Sequence, residues 1–148
     1  MSGIALLIED PNWRSHRGLA ARLSTAAELA RKSVRLKGDF TILLASDRKL
    51  RALNHEFRGK EKPTNVLSFP GLGGYAGDIA LAYGVTRKEA KAAGKSLAAH
   101  ATHLVVHGVL HLAGHDHEKP KEARAMESLE VKILGRLGID DPYAVPAP

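Results

Sequence analysis

Apolar positions along the chain change period several times, and each change marks an element. Residues 4–8 are a short run of branched apolar side chains, which predicts a β-strand. From 13 to 33, Leu19, Leu23, Ala26, Ala27 and Ala30 recur at helical spacing, predicting one helix that Asn12 caps. A second strand is expected over 40–45. A helix over 46–56 follows, opened by Ser46 and Asp47, with Leu50 and Leu53 inward and Gly59 ending the pattern. Residues 60–65 are polar and turn-prone. Residues 66–69 read as a third strand, stopped by Pro70 in a way that suits a sheet edge. The glycine-rich 71–77 reads as a flexible loop and 78–82 as a fourth strand. A helix over 85–93 stops at Gly94, and Ser96 then caps a long helix carrying His100, His103, His107 and His111 on one stripe. Pro120 opens a final helix with Met126, Leu129, Ile133, Leu134 and Leu137 inward and Gly138 at its end; 140–148 reads as irregular. There is no repeat, linker or second core. The expected architecture is a single α+β (mixed α/β) domain over 1–148, with a small four-stranded mixed sheet and about five to six helices.

Composition narrows the class without naming a function. The chain has 148 residues, 44% hydrophobic and 26% charged, which is globular and long enough for a real core. No cysteine is present, so disulfides and thiolate ligands are excluded, and a reducing cytoplasm is compatible. The apolar start runs into Glu9 and Asp10 without a basic leader, so no signal peptide is expected, and no apolar run approaches membrane-spanning length. The formal charge of +6 favours a polyanionic partner, RNA or DNA first. The basic first quarter, with Arg14, Arg17, Arg22, Arg31 and Lys32, reads more simply as a solvated helix face.

The chemistry concentrates in residues 107–117. His107 and His111 stand one helical turn apart and share a face. His117 reaches the same point only if the chain turns first, and Gly114 is placed to turn it. Three imidazoles with a fourth position open are the ligand set of a catalytic zinc, expected at one Zn²⁺ per chain on the long helix and the turn after it. The spacing is similar to the H-x-x-x-H-x-x-G-x-x-H pattern of metzincin proteases. Those carry Glu directly after the first His as general base. Here that position is Gly108, so the peptidase base is missing, and a Glu introduced there is expected to stand beside the metal.

The stretch from His107 to His117 also resembles, completely, the H-G-x-L-H-L-x-G-x-D-H motif of the YbeY endoribonucleases, or rRNA maturation factors. Asn54, Phe57 and Arg58, the segment from Pro63 to Pro70, Gly77 to Ile79, and Leu137 to Tyr143 are similar to that family too. One departure is Asn65, where the family usually has Asp; the expectation is a structural hydrogen bond kept through the amide's carbonyl. The resemblance implies a zinc-dependent, single-strand-specific endoribonuclease of the bacterial cytoplasm. Its role would be 3′-end maturation of 16S rRNA and ribosome quality control, with the small ribosomal subunit as partner and no membrane. Arg58 is then the candidate for holding phosphate, because a guanidinium makes bidentate contacts with its oxygens. Asp116 has two readings, a carboxylate that holds a ligand imidazole or a general base. His103 either touches substrate or packs beside the site; His100 and His115 read as plain polar positions. The rival functions are a zinc-stabilised, non-catalytic ribosome-assembly factor and, against Gly108, a metallopeptidase.

Overall fold

The structure is a computed structural model that describes residues 3–59 and 64–144. Strands β1 (Ile4–Ile8), β2 (Asp39–Ala45), β3 (Val66–Pro70) and β4 (Tyr75–Ala82) form one sheet in the order β1-β2-β4-β3. β1, β2 and β4 run parallel, and β3 returns antiparallel to β4 as an edge strand. Helices α1 (Leu19–Ser33), α2 (Asp47–Arg58), α3 (Tyr83–Ala92), α4 (Leu97–Leu112) and α5 (Pro120–Arg136) complete an α+β fold, as expected, with five α-helices among the described residues.

The alternation within the strands assigns the two faces. Phe40, Ile42 and Leu44 of β2, with Ile79 and Leu81 of β4, point into the main core with Leu23, Ala26, Ala27 and Ala30 of α1 and the apolar residues of α4 and α5. The opposite face carries Ala45, Leu67, Ala80 and Ala82 under Leu50 of α2. α4 is the central helix. Ala101, Leu104, Val105, Val106, Val109 and Leu110 are all buried, while the histidine stripe and the two ends of the helix are only partly so.

Local capping follows the sequence closely. The side chains of Ser46 and Ser96 accept from the backbone N–H groups of Lys49 and Ala99 and start α2 and α4. Two boundaries differ from expectation by more than two residues. The helix predicted from 13 is instead a short 3-10 turn, Pro11–Ser15, capped by Asp10 rather than Asn12; α1 begins only at Leu19. The break before α1 falls at Gly18, whose φ of +75° is left-handed; Trp13, in the turn ahead of it, is buried and donates its indole N–H to the carbonyl of Ala45 at 2.9 Å. The loop predicted over 71–77 is shorter, because Tyr75 already belongs to β4, with Phe69 paired to Asp78 and Pro70 to Gly77. Part of the turn-prone segment, residues 60–63, lies outside the described residues.

Gly108 has a role in this packing that its neighbours on the histidine stripe do not. A Cβ there would meet Ile79 Cγ2 at 2.8 Å, and the Gly108 carbonyl accepts from Ser68 Oγ at 3.4 Å. The position faces the sheet, so a Glu at 108 would be driven into the core and would not stand beside the histidines as the sequence suggested. Closeness of helix and sheet is what this glycine provides. Gly108→Ala should therefore lower stability by about 1–3 kcal/mol through overpacking, although alanine is the better helix former. Urea unfolding measures this, and an unchanged or raised midpoint would show that the interface has slack.

Candidate metal centre

The last turn of α4 ends in two hydrogen bonds: Gly114 N–H to the His111 carbonyl at 2.9 Å, and His115 N–H to the Leu110 carbonyl at 3.0 Å. That is a Schellman turn, and Gly114 supplies its left-handed residue at φ +97°. The reversal returns the chain over α4 and places His117 beside His107 and His111. One ligand nitrogen from each of the three histidines lies within 4.8 Å of the others. Ring centroids are 4.7 Å apart for His107 and His111, 5.0 Å for His111 and His117, and 5.4 Å for His107 and His117. His107 and His111 are half-buried and His117 is exposed.

The cluster lies in a cleft of about 620 Å³, walled on one side by Asn65, Ser68 and Pro70 around the edge strand β3 and on the other by the turn after α4. Three imidazoles, with no carboxylate or thiolate among them, form a donor set that could hold a divalent ion and leave a coordination position open.

Behind the cluster stands Glu130 of α5, a residue that the sequence reading passed over. Its side chain is 1% exposed. Oε1 accepts from His107 Nδ1 at 2.8 Å; Oε2 accepts from His103 Nε2 at 2.5 Å and from the Tyr143 hydroxyl at 2.6 Å. Burial by itself would raise the carboxyl pKa, but the hydrogen bonds from His103, His107 and Tyr143 outweigh it and hold the group down at about 2. Glu130 is therefore a carboxylate and can only accept, so Nδ1 of His107 carries the hydrogen and Nε2 is left for the cleft. Burial and the adjacent Glu130 push the Tyr143 hydroxyl well above the ordinary tyrosine range, which keeps it a donor. The signal in the sequence was a lone acid among Met126, Ile133 and Leu134 on the buried face of α5.

The other candidates separate. Of the two readings of His103, the structure supports packing beside the site, bonded to Glu130. Asp116 lines the cleft and its Oδ1 accepts from the His117 backbone N–H at 2.7 Å; the carboxylate seen holding an imidazole is Glu130. Arg58 closes α2, but its side chain lies outside the described residues. His100 bonds Glu89 at 2.9 Å and His115 lines the cleft. Asn65 also makes a side-chain hydrogen bond, with the opposite polarity to that expected: its amide Nδ2 donates to Glu89 Oε1 at 2.9 Å. An aspartate there would set two carboxylates against each other.

The family model described as Endoribonuclease YbeY matches residues 11–138. Endoribonuclease YbeY of Chelativorans sp. (strain BNC1) is 54% identical over 136 residues, covering 86% of this chain and 83% of that protein. Endoribonuclease YbeY of Gluconobacter oxydans (strain 621H) is 47% identical, covering 96% and 88%. That of Erythrobacter litoralis (strain HTCC2594) is 46% identical, covering 90% and 91%. The solution structure of TM1509 from Thermotoga maritima matches with a TM-score of 0.57 at 24% identity, covering 96% of this chain and 99% of that one, and shares the fold.

The depressed pKa of Glu130 makes a signed prediction for the metal-free chain. A carboxyl at about 2 in the folded state against an ordinary 4.5 contributes stability that is fully present above pH 4.5 and is lost as pH falls towards 2. The amount is on the order of 3 kcal/mol. Native protein should exceed Glu130→Gln in urea midpoint at pH 5, and the gap should shrink as pH falls to 2.5. A constant gap would show that the charge of Glu130 does not matter to folding.

Proposed function

The chain belongs to the Endoribonuclease YbeY family, and on that premise we propose that it is a metal-dependent endoribonuclease cutting single-stranded RNA, with zinc held by His107, His111 and His117. The observation that carries the reading is the convergence of three imidazole nitrogens in an open cleft, one of them oriented by a buried carboxylate. When bound, the ion supplies Lewis acidity towards the phosphodiester.

The protein's own groups set the rest. Glu130 fixes the tautomer of His107 and presents its free nitrogen to the cleft. Asp116, which lines the cleft beside His117, is assigned the movement of a proton during cleavage. Arg58 ends α2 just before the segment that leads into β3, and its guanidinium is assigned to the phosphate and the charge that develops there. The formal charge of +6 suits a polyanionic substrate.

The whole of 1–148 is read as one such domain. Its finer role is 3′-end maturation of 16S rRNA and ribosome quality control, in contact with the small ribosomal subunit in the cytoplasm. Among the described residues no helix is long and apolar enough to cross a membrane. A peptidase reading loses further ground here, because Gly108 faces Ile79 and has no space for a base. A non-catalytic assembly factor remains the competitor that experiment must remove.

Metal-loaded protein incubated with single-stranded RNA, duplex RNA and casein should cut only the first, and chelator should stop it. His111→Ala should lose both zinc and cleavage, because two imidazoles are a poor site; elemental analysis finding undiminished zinc would refute the ligand assignment. RNA left intact by zinc-saturated native protein would favour the assembly factor.

Arg58→Ala should keep the melting temperature within a few degrees, since surface changes usually cost under about 0.5 kcal/mol. It should slow cleavage by roughly 10²–10³-fold. Cleavage at the native rate would make Arg58 an ordinary surface residue.

A further inference from the structure

Glu130 carries three donors, and their distribution between its two oxygens is unequal. Among the described residues, Oε1 meets His107 Nδ1 alone, at 2.8 Å. Oε2 takes both His103 Nε2, at 2.5 Å, and the Tyr143 hydroxyl, at 2.6 Å. A carboxylate turns about its terminal bond with a broad, roughly two-fold preference, so nothing in the side chain itself decides which way its plane points. Two donors converging on Oε2 decide it: they fix that oxygen and so aim Oε1 at His107.

The donors come from different parts of the chain. His103 is rigid, one turn below His107 on α4. Tyr143 is not on a helix. It belongs to the irregular segment after α5, where its backbone N–H bonds Asp141 Oδ1 at 2.8 Å and Ala144 N–H bonds the Asp141 carbonyl at 3.3 Å. The segment has crossed back over α4. The Tyr143 ring stands edge-on to His103, with centroids 5.5 Å apart and planes at 90°, and the residue is still 42% exposed. A half-exposed residue of an irregular tail thus reaches a carboxylate that is almost wholly buried. Tyr143 also lies beyond residues 11–138, the span matched by the family model.

We propose that Tyr143 is a positioning residue of the metal centre: its hydroxyl latches the C-terminal segment onto Glu130 and thereby holds His107 as the Nδ1–H tautomer, with Nε2 free to bind the ion. The inference rests on the reading of the three histidines as a metal site. Partners of this kind, one shell out from the ligands, commonly change metal affinity by 10–100-fold when removed. Tyr143 acts through Glu130 and not directly, so the lower end of that range applies.

The test compares the full-length native chain with Tyr143→Phe, which keeps the ring against His103 and deletes only the hydroxyl. Long-range ¹H–¹⁵N spectra of the metal-free proteins report which nitrogen of His107 carries the hydrogen. Competition with a chromophoric chelator reports zinc affinity, and thermal melting of the metal-free proteins reports folding. Native protein should show a single Nδ1–H tautomer at His107. Tyr143→Phe should lose that single tautomer and bind zinc about 10-fold more weakly, with melting within a few degrees of native. A His107 tautomer unchanged by Tyr143→Phe overturns the proposal, whether or not zinc affinity falls, because any loss would then come from packing. Failure of the native chain to bind zinc would defeat the metal reading itself, while the tautomer comparison, made without metal, would still decide whether Tyr143 acts on His107.

Discussion

Burying an ionised carboxylate is costly unless its lone pairs find donors, and Glu130 meets that condition with three donors from two parts of the chain. His107 and His103 come from α4 and Tyr143 from the segment after α5. The arrangement ties α5 and the C-terminal segment to the central helix at the level of the histidine cluster. It also gives one imidazole of that cluster a defined tautomer before any ion arrives. Orientation of the site at this corner of the core therefore depends on one group.

The rest of the fold brings α4 to where that bond can form. α4 is buried on nearly all sides, and the backbone at Gly108 approaches β4 more closely than a side chain would permit. The same close approach brings β3 alongside the helix, so that Asn65, Ser68 and Pro70 become one wall of the cleft and the turn after α4 the other. Gly114 then reverses the chain and delivers His117. The two glycines do different work: Gly108 sets the depth of the helix in the fold, and Gly114 sets the return path of the third histidine.

Much of this was readable from local pattern. Branched runs located all four strands, and Ser46, Ser96, Gly59 and Gly94 bound their helices as short-range capping predicts. The histidine cluster was readable too, because His107, His111, Gly114 and His117 lie within eleven positions and their geometry is helix plus turn. Long-range contacts were not readable. Trp13 fits a helical period, yet it lies in a 3-10 turn, and its indole bonds a carbonyl 32 residues away. Tyr75 looks like loop until Asp39 of β2, 36 positions before it, offers it a partner. Glu130 is 23 residues from His107, and nothing local links them; only its place on the apolar face of α5 marked it. The polarity of the Asn65 bond depended on Glu89, 24 residues on, facing it.

The central claim is that three imidazoles and no other protein group form the primary ligand set of one ion. X-ray absorption at the zinc edge of the zinc-loaded chain tests this most directly. Three imidazole nitrogens are expected at about 2.0–2.1 Å, with the remaining coordination made by light atoms from solvent. A first shell with only two imidazoles, or with a fourth from His115, would contradict it.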